Sequence, residues 1–396
     1  MCISLTTPSA EGNGGFASNV ARIGFDARLY GYRRGGIQTY LTLLVEALAP
    51  VLAARGHTLT VYHAPGFPLP LPDHLHVQTA TLLTPPHHRM EQFTLPLEIR
   101  RTRPDLVHSP DFIPPRHGSW KRVITVHDLD FIRQPHRLTT DACRFYGQVT
   151  WAVAEADGII APSGAIRDDL AALLDVPPER VTVIAEAPSS RFSPPLPDAT
   201  VTESPRGTPA PGTYFLFVGT VEPRKNLDTL LAAYRAYRAD ADTPKELVIV
   251  GAEGWESART AQMLERSAGV YWLRGVDDDA LVPLYHGALA LLLPSWEEGF
   301  GLPVLEAMAS GTPVAISTAR ALEEVAGDAA LVAPPDDRDA WAMLMRVLAD
   351  LPEVRVDLTR RGLDRAKAFS WERAANETAD LYERVLGNQS ARADPS

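Results

Sequence analysis

Two glutamates in the last third of the chain have the residue type and spacing of a sugar-binding pair. Seven residues separate Glu298 from Glu306 within PSWEEGFGLPVLEAMASGTP, residues 294–313. A glycine-bearing turn, Glu298-Gly299-Phe300-Gly301, follows an apolar strand, and the proline after it suits the start of a helix. Such a turn directs backbone N–H groups towards an anion, and carboxylates accept hydrogen bonds from sugar hydroxyls. The simpler alternatives are an exposed turn acid at 298 and an acid favoured by the helix dipole at 306.

A second segment, VGTVEPRKN at residues 218–226, predicts a diphosphate site. Gly219 ends an apolar strand and would let the backbone approach a ligand, while Arg224 and Lys225 stand at the start of the following helix. Cations at a helix N-terminus oppose the helix dipole, so stability alone does not explain them, although two solvated side chains remain an alternative. A bound diphosphate would form strong, charge-assisted hydrogen bonds with both.

Two weaker candidates lie in the first half of the chain. Arg34-Gly35-Gly36 follows the first predicted strand and offers Gly36 as a diphosphate contact, although a plain turn is as good an interpretation. No GxGxxG follows any predicted strand, which disfavours a nicotinamide dehydrogenase. In VITVHDLD, His127 and Asp128 stand at the end of an apolar strand, where α/β proteins place functional side chains. The Asp128-Leu129-Asp130 triplet also resembles a metal-nucleotide motif, but we predict no metal.

Strands alternate with amphipathic helices in both halves, which predicts an α/β fold with two doubly wound parallel sheets. The predicted strands are Arg22–Ala27, Leu59–Ala64, Leu106–Ser109, Val123–His127, Gly158–Pro162, Arg180–Ala185, Tyr214–Gly219, Leu247–Gly251, Val270–Arg274, Leu289–Leu293, Val314–Ser317 and Ala330–Ala333. The predicted helices include Gly35–Ala54, Asp141–Glu155, Ala165–Leu174, Asp337–Leu351, Val354–Phe369 and Trp371–Leu386. Seven prolines in residues 188–212 predict a linker between the sheets. We therefore expect a disordered tail at 1–21 and domains at 22–190 and 213–370.

The net charge, the cysteine count and the apolar runs of the chain limit the functional classes to which it could belong. The 396 residues carry a net charge of −11, which disfavours nucleic-acid binding, and the two cysteines cannot form a disulfide framework. Residues 22–191 have a net charge of +1, with basic clusters at 100–103 and 116–122. The first 21 residues lack the features of a signal peptide, and we find no uninterrupted apolar run long enough to span a membrane. A cytoplasmic location is expected.

Taken together and in this order, these motifs resemble retaining glycosyltransferases of family 4, which have the GT-B fold of two Rossmann-like domains facing across a cleft. The resemblance covers residues 22 to about 386, and EEGFGLPVLEAMASGTPV is its most specific part. The chain departs from the family at 185–188, where many relatives carry an Asn-Gly-Val-like turn and this sequence reads Ala-Glu-Ala-Pro.

The resemblance implies a nucleotide-sugar donor in the second domain and an acceptor in the first. Carried onto this sequence, Gly219, Arg224 and Lys225 would bind the donor diphosphate, and Gly36 would reach it from the first domain. Glu306 would hold the ribose, while Glu298 and its turn would meet the transferred sugar. His127 would contact that sugar near the reacting centre, and the last helix, about 371–387, would cross back onto the first domain. No bound metal or cofactor is implied.

The nucleotide and sugar are not encoded in these motifs. The contexts VHDLDFIRQP and EGFGLPVLEAMASGTP favour mannosyl-type bacterial enzymes of cell-surface polysaccharide synthesis, with GDP-mannose ahead of UDP-glucose. The acceptor would be a glycan or a polyprenyl-linked sugar, and the basic clusters suggest peripheral contact with anionic lipid at the inner face of the plasma membrane. The alternatives are a GT-B sugar-nucleotide epimerase, a non-catalytic subunit that binds sugar nucleotides, and a metal-dependent transferase.

Overall fold

The chain forms two parallel β-sheets in a computed structural model that describes residues 20–31, 35–75, 77–133, 144–195, 207–254 and 257–387. The first sheet has the strand order β3-β2-β1-β4-β5-β6-β7, and the second has the order β10-β9-β8-β11-β12-β13. The strands are β1 Arg22–Asp26, β2 Thr58–His63, β3 Gln78–Thr81, β4 Leu106–Ser109, β5 Lys121–Thr125, β6 Gly158–Ala161, β7 Val181–Val183, β8 Tyr214–Val218, β9 Glu246–Val250, β10 Val270–Leu273, β11 Ala288–Leu293, β12 Val314–Ser317 and β13 Leu331–Ala333.

Helices connect the strands and cover the sheets. The α-helices are Gly36–Ala54, Glu91–Ile99, Asp130–Arg133, Val149–Glu155, Gly164–Leu174, Leu227–Asp240, Ala258–Arg266, Asp278–Gly287, Leu302–Ala309, Arg320–Ala326, Arg338–Asp350, Pro352–Ala366 and Trp371–Gly387. The prediction of an α/β fold with two doubly wound sheets is therefore confirmed.

The central strands form because they are short apolar runs that are buried on both faces, as parallel sheets require. In the second sheet, β8 (YFLFV), β9 (ELVIV) and β11 (ALALLL) supply much of one continuous hydrophobic core. In each sheet the strand order reverses beside a central strand, at β1/β4 and at β8/β11. Such reversals open a crevice at the carboxyl ends of the strands, which is where parallel sheets bind ligands.

Strand β3 and helix Glu91–Ile99 were not among the predicted elements. The strand, QTAT, lies at the edge of the first sheet and is mostly exposed, so it carries no apolar signal. The helix has Pro96 inside it and leaves Phe93 and Leu97 exposed, which obscures the amphipathic pattern. The predicted helix Asp141–Glu155 begins at residues outside the described part of the chain, and its second half forms the helix Val149–Glu155.

The helix Gly36–Ala54 corrects one expectation, because by length and composition alone it is apolar enough to cross a membrane. It contains polar residues such as Gln38 and Glu46, so a search for an uninterrupted apolar run misses it. Its apolar face, including Leu41, Leu44 and Leu48, is fully buried in the core beside the first sheet. It is therefore the core helix of the first sheet in this structure.

The helix Trp371–Gly387 follows the second sheet in sequence but packs on the first. It lies against Gly36–Ala54 and against β5 and β6, and contributes Ala375, Leu381 and Tyr382 to their core. The Tyr382 hydroxyl bonds to Nδ1 of His108 at 2.6 Å, and burial lowers the pKa of that histidine to about 3. The polypeptide therefore passes between the two sheets twice.

The segment that leaves β7 for the second sheet is partly packed. Phe192 is buried against Tyr285 of the second core, and the carbonyl of Ser193 accepts a hydrogen bond from His286 at 2.8 Å. Residues 196–206 of the predicted linker lie outside the described residues. Residues 1–19 of the predicted N-terminal tail also lie outside the described residues. Ala21, which the tail was predicted to include, is buried, and its N–H donates to Nδ1 of His57 at 3.2 Å.

Candidate functional site

A compact ion cluster lies at the carboxyl ends of β8 and β11. Glu298 accepts hydrogen bonds from Nζ of Lys225 at 2.6 Å through Oε1 and from Nη1 of Arg224 at 2.7 Å through Oε2. Arg224 also reaches the carboxylate of Glu222 at 2.9 Å, and Ser295 Oγ donates to Glu298 at 2.7 Å. The structure thus brings together two motifs that the sequence singled out separately, the pair Arg224 and Lys225 and the turn with Glu298.

The loops that carry this cluster are joined by hydrogen bonds to backbone carbonyl groups. Arg224 and Lys225 belong to a single 3-10 turn after β8, and Asn226 then adopts a left-handed conformation with φ of 56°. The side-chain amide of Asn226 donates to the carbonyl of Pro294 at 3.0 Å, and the N–H of Trp296 donates to the carbonyl of Arg224 at 2.9 Å. The cations are therefore held at fixed positions relative to Glu298.

Glu298 is ionised in this setting. Its side chain is only 7% exposed, and although burial acts in the opposite direction, the charges of Lys225 and Arg224 lower its pKa to about 2. Arg224 and Lys225 are balanced by Glu222 and Glu298, so the four side chains are neutral as a group. A diphosphate that binds here must compete with Glu298 for Arg224 and Lys225, or bind to N–H groups of these two side chains that Glu298 does not use.

Gly219 and the turn 299–301 bring backbone close to this cluster. Gly219 has φ of +154°, and a Cβ added to it would lie 3.3 Å from Cε of Lys225. Gly301 has φ of +114° and precedes the helix Leu302–Ala309, so the turn presents that helix end. The side chain of Phe300 is buried beside Phe369 in the core. The backbone of Phe300, rather than its ring, is left to meet a ligand.

Glu306 lies one turn into that helix and is buried. Its Oε2 accepts a hydrogen bond from the hydroxyl of Tyr285 at 2.8 Å, while burial raises its pKa to about 7. No cation pairs with it among the described residues, in contrast with Glu298. Its carboxylate is therefore close to its protonation midpoint at neutral pH, and ligand hydroxyls could supply the hydrogen bonds that it lacks.

His127 reaches this region from the first sheet. It follows β5, and its ring lies 4.6 Å from the ring of Tyr40 in the first turns of helix Gly36–Ala54. Its carbonyl oxygen faces Gly299 so closely that a Cβ there would lie 1.8 Å from it. The hydroxyl of Ser163 donates to the carbonyl of Gly299 at 2.7 Å. The two sheets therefore meet at the glycine turn next to Glu298.

The structure does not join Gly36 to the cluster by a direct contact. It is the first residue of its helix, and a Cβ added there would meet nothing within 4 Å. Gly35 before it has φ of +136°, which explains the glycine at that position. Arg34 lies outside the described residues. The start of this helix lies in the part of the first sheet that also carries Tyr40, whose ring contacts that of His127.

Four site residues escaped the sequence reasoning: Ser163, Glu186, Tyr285 and Ser295. Ser163 and Glu186 follow β6 and β7 at the same sheet edge as His127, which a rule based on strand ends could have found. Tyr285 lies within a helix, and no local pattern marks it. Asp128 and Asp130 gather no ligand set, since no group of three or more His, Cys, Asp or Glu side chains within the described ranges could hold a metal ion.

Comparison with known proteins identifies the family. The family "Glycosyltransferase Family 4" matches residues 34–186, and "Glycosyl transferases group 1" matches residues 202–365. The O-antigen chain mannosyltransferase B of Escherichia coli is 35% identical over 282 residues, which cover 70% of this chain and 74% of that protein. The D-inositol 3-phosphate glycosyltransferase of Saccharomonospora viridis is 30% identical over 309 residues, covering 71% and 70%.

A solved structure agrees on the fold. Sucrose-phosphate synthase from Thermosynechococcus elongatus superposes with a TM-score of 0.74 at 22% identity, covering 93% of this chain and all of that one. The matched families cover both sheets, and the motifs around Arg224 and Glu298 lie within the second match. The chain therefore belongs to glycosyltransferase family 4 and is a glycosyltransferase with the GT-B fold.

Proposed function

We propose that the chain transfers a hexosyl group from a nucleoside diphosphate sugar with retention of anomeric configuration. A mannosyl group from GDP-mannose is favoured over a glucosyl group from UDP-glucose. The acceptor is a glycan or polyprenyl-linked sugar of cell-surface polysaccharide. The observation that carries this proposal is the cluster of Arg224, Lys225 and Glu298 beside the turn at Gly299, which the carbonyl of His127 abuts. The name of the E. coli relative supports the mannosyl group.

In the proposed reaction the bond from the anomeric carbon to the leaving phosphate breaks and a bond to the acceptor oxygen forms on the same face. The acceptor proton passes to the leaving phosphate, whose negative charge grows as the glycosidic bond breaks. Arg224 and Lys225 would stabilise that charge in the transition state more than in the ground state. Displaced from the cations, Glu298 would accept hydrogen bonds from the sugar.

Glu306 would hold the ribose of the donor, and Gly36 would approach the diphosphate from the first sheet. Closure of the sheets at Gly299 would exclude water and so suppress hydrolysis of the donor. The enzyme would act in the cytoplasm and would require neither a metal nor a cofactor.

The test begins with a panel of sugar nucleotides in a thermal-shift assay, because a ligand that binds the folded state raises the melting temperature. We expect GDP-mannose to give the largest shift. Product analysis by NMR with the selected donor and a mannosyl acceptor, with and without EDTA, should then reveal an α-linked product in both. Epimerised nucleotide without acceptor, binding without turnover, or activity lost in EDTA would each overturn the proposal in favour of a different class.

Peripheral membrane contact is the second part of the proposal, and one surface supports it. Met90, Phe93 and Leu97 are exposed at helical spacing along Glu91–Ile99, and Phe93 and Leu97 are 64% and 66% exposed. The exposed side chains Arg89, Arg100, Arg101 and Arg103 flank this apolar stripe. Apolar side chains bordered by arginines fit an anionic lipid surface, which would also bring a lipid-linked acceptor to the first sheet.

Flotation with vesicles containing anionic phospholipid tests this surface. We expect binding at low salt, weaker binding at high salt, and loss of binding in Phe93→Ser/Leu97→Ser. The matched control is Met343→Ser/Val356→Ser, which removes similarly exposed apolar side chains from helices beside the second sheet. Equal binding by both double variants would contradict the proposal.

A further inference from the structure

Glu186 is a buried carboxylate with no part in the function proposed above. It follows β7, where the chain leaves the first sheet, and stands in the segment Ala-Glu-Ala-Pro that departs from the family pattern. Its side chain is only 7% exposed. A buried charge is costly unless a partner offsets it, so a glutamate at this position calls for an explanation.

Its partner is His127. Oε1 of Glu186 lies 3.2 Å from Nδ1 of His127, and the carbonyl oxygen of Pro110 lies 3.0 Å from Nε2 of the same ring. A carbonyl oxygen and a carboxylate can only accept hydrogen bonds, so both contacts require a proton on each ring nitrogen. A neutral imidazole carries one proton and could satisfy only one of the two. With a carboxylate at Glu186, the two contacts therefore fit an imidazolium ring.

The other groups around the ring agree with this protonation state. Burial alone lowers the pKa of His127, but the hydrogen bond and charge of Glu186, together with Asp111 and Asp128, raise it above the ordinary value. The positively charged ring in turn acts with burial to lower the pKa of the nearby His108. The remaining titratable neighbour, Tyr40, lies edge-on to the ring and is kept protonated by its own burial, which raises its pKa.

The position of His127 indicates what the positive charge of its ring could do. The carbonyl of His127 abuts Gly299, the residue after Glu298, so His127 lies where the first sheet meets the loop that carries the partner of Arg224 and Lys225. In the second sheet those cations are already balanced by Glu222 and Glu298. A ring held in the protonated form on the first sheet would add a positive edge to the other side of the leaving group.

We propose that Glu186 is a positioning residue that fixes the orientation of His127 and keeps it protonated at the cleft. The arrangement parallels the way a buried aspartate orients and stabilises the imidazolium of a catalytic triad. The consequence for transfer rests on the function proposed above, whereas the protonation state of the ring does not.

NMR of 15N-histidine-labelled enzyme measures that protonation state directly and needs no substrate. In the wild-type enzyme we expect one histidine, identified by its loss in His127→Asn, to stay protonated on both nitrogens to a higher pH than an ordinary histidine. Glu186→Gln keeps the shape of the side chain but removes its charge, and should lower the pKa of that histidine by about one unit or more. The matched control is Glu179→Gln, which alters an exposed carboxylate near β7 and should leave the titration unchanged.

Transfer kinetics provide the second measurement. The alkaline limb of the rate should move to lower pH in Glu186→Gln, return towards wild type in Glu186→Asp, and be absent in His127→Asn with or without Glu186→Gln. A neutral His127 in the wild-type spectrum, or an unmoved titration in Glu186→Gln, would overturn the proposal. If the NMR titration shifts but no donor supports transfer, the proposed function fails while the role of Glu186 stands.

Discussion

Glu298 pairs with both cations to which the proposed function assigns the donor diphosphate. It neutralises Lys225 and Arg224 through two separate oxygens, which keeps both cations aligned at the edge of the second sheet. In the proposed function their positions would be set before a diphosphate binds, and binding would require less ordering of the side chains. The same exchange of partners would free Glu298 to accept hydrogen bonds from the transferred sugar.

The first prediction concerns Lys225. Lys225→Ala should reduce transfer ~100- to 1,000-fold, the range seen when one preorganised stabilising group is removed. The fold should persist because Arg224 still pairs with Glu298. Lys121→Ala is the matched control, since Lys121 also forms a partly buried ion pair, with Asp157 at 2.9 Å, but at the opposite end of the first sheet's strands. Comparable turnover by the two variants would refute the assignment.

The second prediction concerns the pH dependence of donor binding. Glu306 has a pKa of about 7, so it is protonated below neutral pH and ionised above it. The ionised carboxylate accepts hydrogen bonds from ribose hydroxyls better than the protonated form does. The affinity for the sugar nucleotide, measured by calorimetry, should therefore rise roughly tenfold from about pH 6 to about pH 8. Tyr285→Phe removes a hydrogen bond that lowers this pKa, so the rise should move to higher pH. Glu306→Gln should abolish it.

The charged site residues could be predicted from the sequence because each stands in a short motif after an apolar strand. Their partners could not. Tyr285 lies 21 residues from Glu306, and Glu186 lies 59 residues from His127, so only the tertiary fold brings these pairs together. The burial of the Phe300 ring was also missed, since an aromatic between two glycines gives no sign of the direction in which it points.

At the scale of elements, the turn before the helix Leu302–Ala309 is one place where the two sheets' elements touch. Gly299 meets the carbonyl of His127, and Gly301 takes a positive φ that other residues rarely adopt. The strands and most helices were predictable because a parallel sheet buries its strands as apolar runs. The edge strand β3 was not, because its exposed QTAT sequence has no such constraint.

The third prediction is that Gly299→Ala prevents this approach. A Cβ at 299 would lie 1.8 Å from the carbonyl oxygen of His127, and backbone on both sides leaves little room to yield. The cleft should stay wider, with reduced transfer and a larger radius of gyration by small-angle scattering. Gly36→Ala is the control for compactness, because its Cβ would meet nothing within 4 Å. Unchanged scattering and transfer in Gly299→Ala would contradict this interpretation of the turn.

At the scale of the whole molecule, a second set of contacts joins the sheets. Glu324 accepts hydrogen bonds from the N–H groups of Gly164 and Ala165, at 2.9 and 3.2 Å, and so caps a helix of the other sheet. Asp169 on that helix is buried and pairs with Arg320 from the second sheet and with Arg133 at 2.7 Å. These contacts are polar, so we expect them to help to hold the two halves together.

The fourth prediction is that Asp169→Asn loosens this contact. Removing the charge leaves Arg133 and Arg320 without their buried partner, so the open cleft should gain population. Water would then enter, and the ratio of donor hydrolysis to transfer should increase. Asp168→Asn is the matched control, because the neighbouring Asp168 is half exposed and its nearer partner is Arg167 on its own helix. An equal ratio in the two variants would rule out a role for Asp169 in closure.

The return of helix Trp371–Gly387 to the first sheet has a consequence for the order of events during synthesis. Strand β7 ends at Val183, yet the helix that completes its core begins at Trp371. At ~5–20 residues per second, a ribosome needs roughly 10 s or more to make the intervening chain. Throughout that interval, the apolar side chains of the first sheet that pack against Leu381 and Tyr382 in the folded protein would remain exposed. The core of the first sheet can therefore be completed only after the helix Trp371–Gly387 has been synthesised.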